Sequence, residues 1–154
     1  MAGINAELVT EFAKDKTWEK AEAPFQNQAY IFGEQSYRLS RCKDDVDVII
    51  TDSPLPLSII YNPDMNVQKE LVSFILKTFS TYDNINYFVR RDKPYNPIGR
   101  MHTEKESQKI ENSIYVLLER FHIDYKLLQG NQQGYDNVVN DVLQIINSNK
   151  STEI

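Results

Sequence analysis

Two groups of side chains in this 154-residue chain have the types and spacing to do chemistry. One is acidic: Asp52 closes the run Val48-Ile49-Ile50-Thr51, placing a carboxylate at the carboxyl end of an apolar segment. An acid there holds a hard cation or its water ligands, or else serves as a turn or helix-capping residue. The other is basic: Arg90, Arg91, Lys93 and Arg100 fall within eleven residues, interleaved with Pro94, Pro97 and Gly99. Guanidinium forks pair bidentately with phosphate oxygens, so such a cluster in an acidic chain points to an anion-binding lid; the plainer alternative is a solvated loop. What is missing matters as much. No G-x-x-x-x-G-K-S/T sequence occurs, and the five glycines (Gly3, Gly33, Gly99, Gly130 and Gly134) stand singly, so the chain encodes no phosphate-cradling loop.

Other chemistries find little support. The single cysteine, Cys42, rules out an intramolecular disulfide and a cysteine-based zinc site, and suits a buried structural thiol in a reducing compartment. His102 and His122 have no second ligand at metal spacing and read as surface or helix-end residues. Trp18 lies in a charged stretch as a loop anchor or a contact, and Tyr82, Tyr87 and Tyr95 read as packing residues at sheet edges. A net charge of −5 argues against nonspecific binding to nucleic acid or an anionic membrane. With 41% hydrophobic and 25% charged residues, no basic-then-apolar leader and no long apolar run, the expectation is one soluble cytoplasmic domain.

The elements that would position these groups alternate. Glu7 to Phe12 reads as a strand, and Lys14 to Pro24 as a charged, turn-prone connection. Asn27 to about Cys42 reads as a helix with Tyr30, Phe32, Tyr37 and Leu39 as packing candidates, weakened by Gly33. Asp45 to Ile50 suits a strand covered on both faces, ended by Pro54 and Pro56. Helical spacing recurs in Val67, Leu71, Phe74, Ile75 and Phe79, in Ile110, Ile114, Leu117, Leu118 and Phe121, and in Val138, Val139, Val142, Ile145 and Ile146. Short strands are expected at Asn84 to Arg90 and Asp124 to Leu128, with a turn around Gly130 to Gly134. The sequence thus predicts one α/β domain over 1–147 with a mainly parallel sheet flanked by helices, and a frayed polar tail over 148–154.

The order of Thr10-Glu11-Phe12-Ala13-Lys14-Asp15, the Gln-rich stretch Gln26 to Gln35, Thr51-Asp52-Ser53-Pro54 and Phe88 to Arg100 resembles phage and bacterial P-loop ATPase or kinase-like proteins, related in plan to ribosylnicotinamide and deoxynucleoside kinases. The resemblance runs from about Ala2 to Ile146, and it lacks that family's first strand, Walker A loop and first helix, with Gly3 where the first helix would close through a left-handed turn or else as a flexible terminal residue. It implies that Asp52 holds magnesium beside the transferred phosphoryl, and that Arg90, Arg91, Lys93 and Arg100 close over the phosphates of ATP. It also implies that Glu11 faces the acceptor, as a base or a partner for a sugar hydroxyl, while Tyr30 stacks on the acceptor and Gln35 hydrogen-bonds it.

Without the P-loop, most of the positioning and charge stabilisation of phosphoryl transfer is gone. One expectation is therefore a non-catalytic kinase-like scaffold, such as a phage-encoded inhibitor or decoy in the host cytoplasm, that binds a nucleotide or a protein. The alternative is a piece of an active ATP-dependent small-molecule kinase whose Walker A segment lies upstream of Met1. Either way the P-loop strand would lie between the strands ending at Asp52 and Arg90, so those two must pair directly or leave edges that a homo-oligomer or a hetero-complex covers near Val48, Ile50, Tyr87 and Val89.

Overall fold

The computed structural model describes residues 3–61, 68–90, 96 and 103–152. Its chain alternates strand and helix. β1 (Ala6–Val9) leads into α1 (Phe12–Trp18), a 3-10 turn (Ala23–Gln26) and α2 (Gln28–Ser40); β2 (Val48–Thr51) leads into α3 (Leu57–Ile60) and α4 (Gln68–Phe79). Then come β3 (Tyr87–Arg90), α5 (Glu104–Arg120), β4 (Lys126–Gln129) and α6 (Gln132–Thr152). The strands form two parallel pairs, β1 with β2 and β3 with β4, so the protein is mixed α/β with helical crossovers, as parallel neighbours require. β2 and β3 are not hydrogen-bonded to each other.

Register in the first pair is fixed before the strands begin. The Asn5 amide donates to the Asp47 carboxylate at 2.9 Å, Asn5 Nδ2 donates to the Asp45 carbonyl, and the Asp47 amide returns a bond to the Asn5 carbonyl. From there Ala6 faces Val48, Leu8 faces Ile50 and Val9 faces Thr51. Alternation then decides burial: Val9 and Ile49 point into a core with Phe32, Leu39, Leu55 and Ile75. Leu8 and Ile50 point the other way and are 64% and 54% exposed. The expectation that β2 is covered on both faces is therefore corrected, since the described helices cover the Ile49 face and leave Ile50 open.

The inward face of α2 carries Gln28, Ile31, Phe32, Gln35 and Leu39. Phe32 and Leu39 pack as the spacing predicts, but Tyr30 and Tyr37 are exposed, because the stripe is centred one residue away and includes two glutamines that hydropathy counts as solvent-facing. The strand expected over Glu7 to Phe12 stops at Val9, and Phe12 opens a helix inside the stretch expected to be a connection. That short helix has little apolar periodicity of its own. It is held by the buried Phe12 ring, which meets the Tyr30 edge at 5.6 Å and lies under the Arg38 and Lys16 cations. The tail expected to fray from Ser148 instead continues α6 to Thr152, with the Ser148 hydroxyl donating to the Gln144 carbonyl.

Around the second pair, Phe88 stacks on Tyr115 of α5 at 4.2 Å, and Tyr125 closes the cluster. On the other side Tyr87 donates to Asp141 of α6, which is also paired with Lys126 at 2.7 Å. Burial and then the Asp141 bond push the Tyr87 hydroxyl up to about 12, while Lys126 and Tyr87 hold Asp141 below the usual carboxylate range. Helices α1 and α5 both end in the left-handed turn that glycine normally supplies, here at Lys20 (φ 55°) and His122 (φ 51°), with the Ala21 and Ile123 amides reaching back to the Lys16 and Leu118 carbonyls. Gly3 is also left-handed, at φ 62°.

Two glycines should respond oppositely to alanine. A Cβ at Gly33, exposed within α2, meets nothing within 4 Å, so Gly33→Ala should raise unfolding stability by about 0.5–1 kcal/mol through helix propensity. A Cβ at Gly134 would stand 2.1 Å from the Gln129 carbonyl oxygen, so Gly134→Ala should lower stability by about 1–3 kcal/mol despite the same propensity gain. Urea midpoints at constant slope measure both.

Candidate functional site

Parallel pairing brings both strand-end acids to one edge. β1 and β2 run side by side to the pair Val9 and Thr51; Asp52 follows one residue later on one strand and Glu11 two residues later on the other. Each acid sits on a corner of constrained backbone. The Thr51 hydroxyl accepts from the Ser53 amide at 3.1 Å, folding the chain tightly around Asp52, and Leu55, only 2% exposed, anchors the turn that follows. Glu11 is the cap residue of α1, with φ −65° and ψ 121°. Its corner is bracketed by Gln35, whose Oε1 accepts the Phe12 amide at 2.8 Å and whose Nε2 approaches the Thr10 carbonyl at 3.5 Å. Arg38, paired with Asp15 at 2.7 Å, also reaches that carbonyl.

A short polar side chain at a helix N-cap, Asp included, ordinarily accepts the backbone amide two or three residues on. Glu11 does not, and its carboxyl makes no hydrogen bond or ion pair among the described residues. Burial first, and then the charge of Asp52, raise its pKa above the usual carboxylate value, with Asp15 adding to the rise and Lys14 opposing it. Tyr61, beyond α3, belongs to the same neighbourhood: burial and then the charge of Glu11 raise its hydroxyl. A carboxyl whose ionisation is discouraged by burial and by a neighbouring acid, with a phenol close by, can accept hydrogen bonds from hydroxyl groups and hold a proton more readily than a solvated carboxyl does.

The remaining predicted residues are dispersed. Tyr30 lies in the first turn of α2, half-exposed, with its edge on Phe12. Gln35 is 3% exposed and engaged with backbone on both sides of Glu11. Arg90 ends β3 opposite Gln129, exposed, in the other strand pair. Arg91, Lys93 and Arg100 lie outside the described residues. Sequence reasoning missed Tyr61, whose only signal is its place after the Asp52 loop, and the Tyr87–Asp141–Lys126 network, whose members are far apart in the chain.

For a magnesium ion the donor set is small. Among the described residues no group of three or more His, Cys, Asp or Glu side chains could hold a metal. A Mg2+ that arrives on a nucleotide asks for fewer protein ligands, since it keeps several waters and takes one or two carboxylates plus phosphate oxygens. Two open surface depressions, one along α4 at Lys69, Phe74 and Lys77 and one at Tyr87, Lys126 and Asp141, are lined by neither acid. No helix among the described residues is long and apolar enough to cross a membrane. No protein-family profile, curated protein or solved structure matches the chain.

The electrostatics predict a pH signature. Because the folded pKa of Glu11 is raised above the ordinary 4.5, folding binds a proton more tightly than the unfolded chain does. The corresponding stability is present below about 4.5 and lost as pH rises through the folded value. Glu11→Gln should therefore gain stability relative to the wild type as pH rises across that window, and Asp52→Asn should narrow the window. Thermal melts from pH 4 to 8 test this, and parallel curves for wild type and Glu11→Gln would refute it.

Proposed function

We propose that this chain is a nucleotide-kinase-like scaffold that binds a nucleoside or nucleotide at the Glu11–Asp52 edge and does not turn it over by itself. The observation that carries this proposal is the convergence of Glu11 and Asp52 at the carboxyl ends of adjacent parallel strands, the edge where α/β sheets hold ligands. Asp52 would face a nucleotide-borne magnesium, and Glu11 a hydroxyl of the acceptor. Arg90, Arg91, Lys93 and Arg100 would supply charge to the phosphates. Bound Mg2+ would offset phosphate charge; the chain's own residues would hold and orient the ligand. Tyr30 is placed as an aromatic face one helix away, whereas Gln35 is already engaged with backbone. The absence of a glycine-rich loop in this sequence is why turnover is not expected.

A second possibility is favoured by the two separate strand pairs and the uncovered Leu8–Ile50 face. In it the scaffold is completed by a strand, phosphate loop and helix supplied by another segment, whether upstream on a longer polypeptide or on a partner chain, and the completed protein is an ATP-dependent kinase. A homo-oligomer or hetero-complex would equally cover these edges in the non-catalytic form.

ATP with Mg2+ at 100 times Kd should stabilise the chain by about 2.7 kcal/mol, roughly 5–10 °C in Tm for a protein of this size, and should do so less at high salt. Asp52→Asn, or Arg91→Ala combined with Arg100→Ala, should remove the shift, and no phosphate release should be measurable. Equal shifts in all variants would refute nucleotide binding at this edge. Steady turnover lost in Asp52→Asn would refute the non-catalytic assignment, and turnover gained only on adding an upstream glycine-rich segment would establish the second possibility.

A further inference from the structure

Gly33 sits in the middle of α2, and nothing inside the chain asks for a glycine there. Its φ is not left-handed, and a Cβ built on it meets nothing within 4 Å. Glycine disfavours a helix interior, and what it offers in exchange is close approach of something else to the backbone. The side chains around it fit such an approach. Buried Ile31, Phe32, Gln35 and Leu39 take the inward side of α2. At about 100° per residue, Tyr30, Gly33, Tyr37 and Arg41 gather on the opposite side. All four are exposed, Tyr30 by 44% and Tyr37 by 66%. Tyrosines thus stand one turn before and one turn after the glycine, and tyrosine is enriched where proteins meet.

The ends of this face carry opposite charges. Exposed Glu22 precedes the 3-10 turn that leads into α2, and exposed Arg41 follows the helix; neither has an ion-pair partner among the described residues. Outward from Gly33, each direction meets a tyrosine and then a charge, negative towards the amino end and positive towards the carboxyl end. Two copies laid antiparallel about a two-fold axis at Gly33 set Tyr30 of each against Tyr37 of the other, and Glu22 of each near Arg41 of the other. A two-fold contact demands that self-complementarity, and a foreign partner does not.

We propose that the outward face of α2 is a homodimer interface, in which α2 packs antiparallel on α2 of a second copy with the two glycines at the crossing point. This goes beyond the nucleotide reading and does not rest on it. It takes Tyr30 as a contact between copies, in place of the acceptor stacking that the sequence resemblance implied. α2 covers the Val9 side of the first strand pair, so the interface lies apart from the Leu8–Ile50 face and leaves that face open. Antiparallel packing also sets helix ends of opposite partial charge side by side. The contact is carried by a helix of 13 residues, about 20 Å long, which suits a weak dimer and not an obligate one.

Sedimentation equilibrium from about 1 μM to about 1 mM protein spans the dissociation constants of such a pair. The wild type should pass from monomer to dimer in that range. Gly33→Gln should raise the dissociation constant by about tenfold or more, because its side chain holds the helices apart. Its unfolding midpoint in dilute solution should rise at the same time, since glutamine favours helix over glycine. Glu22→Arg alone and Arg41→Glu alone should each weaken association, because each places like charges at both ends of the interface. An equimolar mixture of these two variants should recover the dimer, since the mixed pair sets arginines of one copy against glutamates of the other. A chain that stays monomeric across the range would overturn the proposal and leave the face to a different protein. A dimer that Gly33→Gln leaves intact would overturn it too, and its loss in Ile50→Ser would move the contact to the Leu8–Ile50 face. Failure of the mixture to recover would exclude the antiparallel arrangement.

Discussion

Parallel pairing of β1 with β2 is the constraint on which the candidate site depends. Antiparallel neighbours would send the two strand-end acids to opposite edges; parallel ones deliver both to the same edge in fixed register. The register itself comes from the opposite end, where Asn5 is bonded to Asp45 and Asp47 before either strand begins. A slip of one residue would exchange the buried Val9 and the half-buried Ile49 for Leu8 and Ile50 and move Asp52 out of step with Glu11. Core packing and the acid pair are therefore selected by the same alignment.

That alignment also leaves an apolar face uncovered. Val9, Phe32, Leu39, Leu55 and Ile75 give the first strand pair a core on one side, while Leu8 and Ile50 form an exposed cross-strand pair on the other. The second pair is treated differently. Phe88 stacks on α5 through Tyr115, and Tyr87 is tied to α6 through Asp141, so helices engage it from both sides. The two halves are bridged by helix packing of α3 on α5 and α4, and not by a continuous hydrogen-bonded sheet. At the carboxyl edge of the first pair Glu11 is half-buried, and that burial is what makes its carboxylate reluctant to ionise.

Local backbone chemistry then aims the side chains. Thr51 folds the chain over Asp52 by a bond within two residues, a short-range device that sequence carries openly. The backbone on either side of Glu11 is held by a residue from another element, Gln35, which lies on the buried face of α2. The same α2 face supplies Phe32 and Leu39 to the core, so disturbing the helix would disturb both the core and the acid corner.

The amino-acid sequence by itself determined the element alternation, because apolar residues at spacings of two and of three to four report strand and helix without reference to the rest of the chain. It also placed Asp52 at a strand end, Glu11 just past one, and His122 at the end of a helix, all consequences of local order. It did not determine which face of α2 packs, since Gln28 and Gln35 are polar by type and inward only through partners in tertiary contact. α1 was illegible for a similar reason: it owes its order to Phe12 beneath Arg38 and to an amide bound 23 residues away. The nearness of Glu11 to Asp52 and Tyr61, and the openness of the Leu8–Ile50 face, were decided only by tertiary structure. Both depend on which strands pair and on which helices lie over them, and those choices rest on contacts between residues tens of positions apart.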